Sequence, residues 1–424
     1  MSLCTPLILA LLAAAPADLD ALVERVTPDV VAWRRAIHAH PELGERETRT
    51  AALVAERLRE LGLEVREGVA VTGVVGVLRG GAAGPDSPVV AWRADMDALP
   101  VTEQTGLPYA STRTDEWDGE QVGVMHACGH DMHVAIGLGI ASVLASPEVR
   151  ESLAGTVVFL FQPAEEGMPG PEVHGAERML AEGALADPRP EAVLGLHVNP
   201  LLGVGQVSVI PGGALAAVDR FRIRVKGVQT HGAYPQAGVD PIVTASQIVL
   251  ALQTIASRNV DTRESVVVSV GKIEAGNRFN IIPGEAELLG TIRTHDEDVR
   301  ATIHRRMEEI AANVAVAMGA TAETEIESIT PATVNDPELV ERLLPAVRAA
   351  VGDARVVPEK PHMGGEDFAF LANEVPGLYF FLGVTDPAEG VPAMVHTPFF
   401  APSEKALPVG VRTGAGLLLE LLAP

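Results

Sequence analysis

Only two cysteines occur in the 424 residues, Cys4 and Cys128. Cys4 falls in an N-terminal apolar stretch, so a structural disulfide is not expected. Basic residues are also scarce: 32 Lys and Arg stand against 56 Asp and Glu, a formal net charge of −24. No Lys/Arg cluster builds the basic face of a nucleic-acid binder, and the acidity reads as solubility. Aromatics are 4% of the chain while apolar residues are 47%, so the interior is built from Ala, Val and Leu. No apolar run reaches the roughly 20 residues that span a bilayer. No G-x-G-x-x-G follows a strand, no phosphate loop appears, and the paired C-x-x-C of a mononuclear zinc deaminase is missing.

The apolar run Pro6–Ala15, followed by Pro16-Ala17-Asp18, has the apolar region and small-residue step of a secretory signal. No Lys or Arg precedes Arg25 to supply its positive start. The expectation is a leader over residues 1–17 and an exported, periplasmic or secreted protein; the alternative is a cytoplasmic one.

The length suggests more than one domain. Helical and strand-like segments alternate, which predicts an α/β fold. Asp18–Ala39 reads as a helix stopped by His40-Pro41, and Glu47–Leu61 as a second. Val71–Leu78, Val89–Trp92, Thr156–Phe161 and Ala192–Leu196 are short and continuously apolar, as strands of a mostly parallel sheet buried on both faces are. From Phe221–Val225 (FRIRV) the pattern alternates, as in a half-exposed strand. A helix over Pro241–Ser257, strands over Ser265–Ile273 and Glu285–Arg293, a helix over Glu297–Met318 and a strand over Thr321–Glu327 complete a β-α-β-β-α-β unit. The reading is a first domain in two parts, residues 18–215 and 331–424, interrupted by a ferredoxin-like α+β insertion at 216–330. The returning part holds a helix over Pro337–Val351 and a strand over Leu378–Gly383.

What is abundant is metal chemistry in small windows. MHACGHDMH (Met125–His133) packs a cysteine, three histidines and an aspartate into nine residues. Asp95-Met96-Asp97 follows Val89–Trp92, Glu165-Glu166 follows Thr156–Phe161, His197 follows Ala192–Leu196, and His396 lies beyond Leu378–Gly383. Ligands of open α/β sheets gather just past the carboxyl ends of strands, so these pieces can converge. Singly, each has a plain reading: a solvated acidic pair, a hydrogen-bonded core histidine, a helix cap. Together they suit zinc, manganese, cobalt or nickel. Of two adjacent glutamates, one can ligate while the other serves as a base in metal-assisted hydrolysis.

HPELGERE (His40–Glu47), WRADMDALP (Trp92–Pro100), MHACGHDMH, FQPAEEG (Phe161–Gly167), GLHV (Gly195–Val198), THGAYPQAGVDP (Thr230–Pro241), NIIPGEAELLGTIRT (Asn280–Thr294), GGEDFAF (Gly364–Phe370) and HTPFF (His396–Phe400) occur in this order. The set resembles the M20 metallopeptidase family in its amidohydrolase branch. That branch holds N-acyl-L-amino acid amidohydrolases, hippurate hydrolases and auxin–amino acid conjugate hydrolases. The resemblance implies two divalent metal ions (Mn, Zn, Co or Ni) bridged by Cys128. His130 and His197 complete one ion; Glu166 and His396 complete the other. Glu165 matches the general base and Asp97 a carboxylate that orients a ligand. Asp95 stands where other branches carry a metal histidine and is not counted as a ligand. His126 and His133 are read as structural or as supports of the ligands. The resemblance further implies a homodimer whose insertion is a lid and dimerisation domain. His231 would come from the partner subunit to polarise the scissile carbonyl, and Asn280 and Arg293 would meet the substrate's carboxylate end. Met168–Ala176 departs from the pattern as a Pro/Gly-rich elaboration, with His174 read as exposed. The expected function is hydrolysis of small N-acyl-L-amino acids. The alternatives are a dipeptidase or amino-acid-precursor deacetylase on the same site, or a metal-binding protein on a retired hydrolase fold. The last is disfavoured because both Glu165 and Cys128 are present.

Overall fold

The computed structural model describes residues 18–169, 173–390 and 393–423. The expected leader at 1–17 and the centre of the Met168–Ala176 elaboration lie outside the described residues. A seven-stranded sheet organises the larger part of the chain, in the order Glu64–Val69, Gly73–Arg79, Thr156–Gln162, Val89–Asp95, Ala192–Gly203, Gly377–Thr385, Val207–Val209. The four strands from Thr156–Gln162 to Gly377–Thr385 run parallel, and the outer strands pair antiparallel. Apolar runs such as TVVFLFQ and GLYFFLGVT form these strands because both faces are covered: Thr156–Gln162 is buried throughout. One apolar cluster joins one face to helices Leu19–His38, His130–Leu144 and Leu407–Leu421; a second joins the other face to Phe368–Glu374.

Two features lie beyond what the sequence pattern reveals. Gly73–Arg79 is almost wholly buried, yet it is antiparallel to both neighbours, so continuous burial does not fix strand direction. His130–Leu144 is a 15-residue helix that helical periodicity does not reveal, because 14 of its residues are buried and no polar face marks the turn.

Residues 217–330 build a separate four-stranded antiparallel sheet, ordered Val266–Ala275, Glu285–Thr294, Ala217–Lys226, Thr321–Thr330. Helices Pro241–Leu252 and Glu297–Ala317 pack on one face around Phe221, Ile223, Leu288 and Met307. Asp240 and Asp296 cap those helices with their side chains, Asp240 ahead of a proline at the first helical position. The other face explains the FRIRV alternation: Arg222 and Arg224 are half-buried between buried Phe221, Ile223 and Val225, and Arg220, Arg224 and Lys226 pair with Glu327, Glu325 and Glu323. The expected Pro241–Ser257 helix ends at Leu252 and gives way to a π turn over Ile255–Asn259.

The loop before Phe368–Glu374 fastens the two sheets together. Ala216 N donates to Gly364 O (2.9 Å), His362 N donates to Ala214 O (2.8 Å), and His295 Nε2 donates to His362 O (2.7 Å). No described helix is long and apolar enough to cross a membrane.

Candidate metal centre

Glycine sets the first turn of the centre. Gly129 sits at φ +92° between Cys128 and the helix beginning at His130, and a Cβ there would meet Val198 Cγ2 at 2.5 Å. The turn brings Cys128 Sγ to 3.3 Å from His197 Nε2 and 3.3 Å from His396 Nε2. His197 lies inside the strand Ala192–Gly203, which continues past it. His396 holds φ +64°, with its N–H donated to Ala127 O at 2.8 Å. Ala164, just before the glutamate pair, holds φ +51°, and its N–H is taken by Glu47 Oε1 at 2.9 Å. Left-handed backbone at non-glycine residues is costly and concentrates where geometry serves a site.

Two triads share the thiol. Cys128, His130 and His197 offer ligand atoms within 4.8 Å of one another, and so do Cys128, Glu166 and His396. Hydrogen bonds fix the imidazoles for ligation. His130 Nδ1 donates to the carbonyl and the carboxylate of Asp97, both at 3.0 Å, which leaves its buried Nε2 without a partner. His197 Nδ1 donates to Val198 O at 2.8 Å, turning Nε2 toward Cys128. Asp97 also takes the Glu166 N–H at 2.9 Å, so one carboxylate orients both triads. Glu166 Oε1 stands 3.1 Å from His396 Nε2.

The electrostatics call for cations. Burial opposes charge on His130, yet Asp95 and Asp97 raise its pKa to about 10, so the pocket favours positive charge at this position. Burial and the His133 ring hold His197 well below the usual imidazole range, keeping it neutral. Burial, then Glu166 and Glu165, push the Cys128 thiol well up; a thiolate there requires adjacent positive charge. Burial and the carboxylates of Glu366 and Glu166 push Glu165 up as well. Thiolate, imidazole and carboxylate suit borderline divalent metals.

The predicted residues do not all converge. Cys128, Glu165, Glu166, His197 and His396 line one cleft of about 340 Å³ with Leu201, Phe381 and Met394. Arg293 comes close to it: a Cβ on the cleft residue Gly365 would stand 3.5 Å from Arg293 Nη1. His231 and Asn280 are not among the residues lining the cleft. They sit together on the insertion, where Thr230–His231 pairs with Ile281–Ile282 and Gly232 N donates to Asn280 O at 2.9 Å. Asp95 is engaged by Arg93 (2.6 Å) and His133 (2.5 Å), and its carboxylate also lies within 4.8 Å of ligand atoms of His130 and His133. His126 is buried with neither ring nitrogen hydrogen-bonded. His174 is half-buried rather than exposed, and with Glu165, Glu166, Trp117 and Arg220 lines a second, polar cavity of about 510 Å³. Sequence reasoning missed Arg93, Glu366, Asp367 and Tyr379, a buried network under the base. The available signal was an arginine inside an apolar strand.

The model of peptidase family M20/M25/M40 matches residues 91–420. The chain belongs to the M20 peptidase family. This M20 protein is 37% identical over 394 residues to N-acetyl-L-cysteine deacetylase of Bacillus subtilis, covering 92% of this chain and 87% of that one. It is 37% identical over 406 residues to IAA-amino acid hydrolase ILR1-like 2 of Arabidopsis thaliana, covering 93% and 87%. A solved dinuclear metal binding peptidase from the M20 family of Bacillus subtilis superposes with a TM-score of 0.77 at 34% identity, covering 94% of this chain and 99% of that one. The M20 protein is thus a metal-dependent hydrolase of linear amide bonds.

Proposed function

We propose that the protein hydrolyses small N-acyl-L-amino acids to a carboxylate and a free amino acid. One observation carries this reading: the Cys128 thiol is shared by two ligand triads, with the Glu165 carboxylate beside them at the cleft. His130 and His197 would hold one ion and Glu166 and His396 the other, with the Cys128 thiol common to both sets. Two divalent ions held there supply Lewis acidity to the carbonyl and acidify a water. Glu165 accepts the proton of the attacking water and delivers it to the leaving nitrogen. Asp97 keeps His130 in the ligating tautomer. The apolar walls of Leu201, Leu215, Phe381 and Met394 suit an apolar substituent, while Arg293 suits the carboxylate of the amino acid. A homodimer with His231 and Asn280 delivered from the partner supplies the donor that stabilises the developing oxyanion. Exposed Leu250, Ile273 and Phe279 on the insertion support such an interface.

The test is a panel of N-acetyl, N-benzoyl and indole-acetyl amino acids, alongside dipeptides, with the enzyme loaded with manganese, zinc or cobalt. Turnover of N-acyl amino acids well above that of dipeptides is expected. A preference for dipeptides overturns the substrate class.

A further inference from the structure

Arg93 lies within the central strand Val89–Asp95 and is 1% exposed. A guanidinium has five N–H groups, and each finds an acceptor. Nε donates to Gln162 Oε1 (2.8 Å); Nη1 donates to Asp95 Oδ2 (2.6 Å) and the Tyr379 hydroxyl (3.2 Å); Nη2 donates to Glu366 Oε1 (2.9 Å) and Asp367 Oδ1 (2.8 Å). Glu366 is itself held in place, taking the Tyr379 O–H at 2.6 Å and the Phe368 N–H at 2.9 Å.

Glu165 stands at the edge of this set. Ligand oxygens of Glu165, Glu366 and Asp367 lie within 4.8 Å of one another, and Glu165 Oε2 is 3.9 Å from His130 Nε2, beyond hydrogen-bond range. A carboxylate beside the acceptors of a buried guanidinium competes with them for its charge-assisted hydrogen bonds. A base so paired has its lone pairs occupied and faces away from the cleft.

We propose that Glu366 is a positioning residue for Glu165: by occupying Arg93, together with Asp367, it leaves the base unpaired and directed into the cleft. The inference rests on Glu165 being the base. Replacing Glu366 by glutamine leaves an amide oxygen for the Arg93 Nη2 N–H but removes the anion, so the guanidinium is compensated by one carboxylate fewer. The guanidinium then captures Glu165, and proton transfer slows while substrate and metals still bind.

The experiment compares four variants of the metal-loaded enzyme. Glu366→Gln is expected to lower kcat by at least ~10-fold, a part of the ~10²–10⁴ that a positioned base contributes. KM and metal content should stay near wild type, because only the chemical step loses. Arg93→Gln/Glu366→Gln, which removes the capturing cation, should recover kcat relative to Glu366→Gln. Where Glu366→Gln does not fold, Tyr379→Phe removes one restraint on Glu366 and should lower kcat at unchanged KM. Wild-type kcat in Glu366→Gln, or in Tyr379→Phe where that stands in, overturns the proposal. So does a crystal structure of Glu366→Gln in which Glu165 remains unpaired. So does a folded, metal-loaded double variant without recovery. Glu165→Gln separates the two readings. If it keeps full kcat, the base reading itself fails; if it is inactive while Glu366→Gln is fully active, only the positioning role falls.

Discussion

Glu165 and Glu166 are neighbours in sequence whose surroundings divide their chemistry. Glu166 faces His396 and Cys128; Glu165 faces the cleft. Glu165→Gln is expected to reduce kcat by roughly 10²-fold or more with metal retained, whereas Glu166→Gln should lower metal content. Elemental analysis beside kinetics decides, and the reverse outcome exchanges the two roles. Glu47 offers a pH test. Burial and the nearby Asp97 raise its pKa from 4.5 to about 8. Between those values the folded protein holds a proton the unfolded chain has released, so stability falls as pH rises through this window. Glu47→Gln, which keeps an acceptor for the Ala164 N–H and turns an amide N–H toward the Thr72 hydroxyl oxygen, should flatten the fall and raise Tm above pH 8, as thermal melts from pH 5 to 9 will read. The ligands were legible because soft and borderline donors crowd short windows after apolar strands. The Arg93 network was not, because its partner Glu366 lies 273 residues away and an acidic pair in isolation reads as a solvated face.

At the scale of elements, continuous apolar runs located the buried strands, since that signal is local. Helix His130–Leu144 was hidden because a helix buried on every side has no amphipathic period. The reversal of Gly73–Arg79 was hidden because direction is set by connections rather than by composition. The loop His362–Asp367 matters most here, since it touches both sheets. A Cβ on Gly365 would meet Val218 Cγ2 at 2.3 Å, so Gly365→Ala must push the first strand of the insertion away from the cleft loop. The expected outcome is a fall in kcat/KM of roughly 10²-fold, the cost of about 1 Å of misplacement, with metal content unchanged. Steady-state kinetics and metal analysis check it; wild-type kcat/KM shows that the contact does not carry strain to the site.

At the scale of the molecule, the cleft holds one set of residues and the insertion carries His231 and Asn280 elsewhere. The homodimer we propose closes that gap. Mixing inactive His231→Ala with inactive Glu165→Gln subunits should restore activity, because one site of each mixed dimer receives an intact Glu165 and an intact His231. Verified subunit exchange without recovery would place His231 outside catalysis or within its own chain. The positions of the candidate ligands have a different consequence, for the making of the protein. Cys128, His130, Glu166 and His197 leave the ribosome before the insertion, and His396 follows it, 268 residues after the thiol with which it converges. One triad is complete in sequence by residue 197; the other waits until the insertion has been synthesised. Order of synthesis is therefore an order of assembly, in which the second triad is completed only after the insertion has been made.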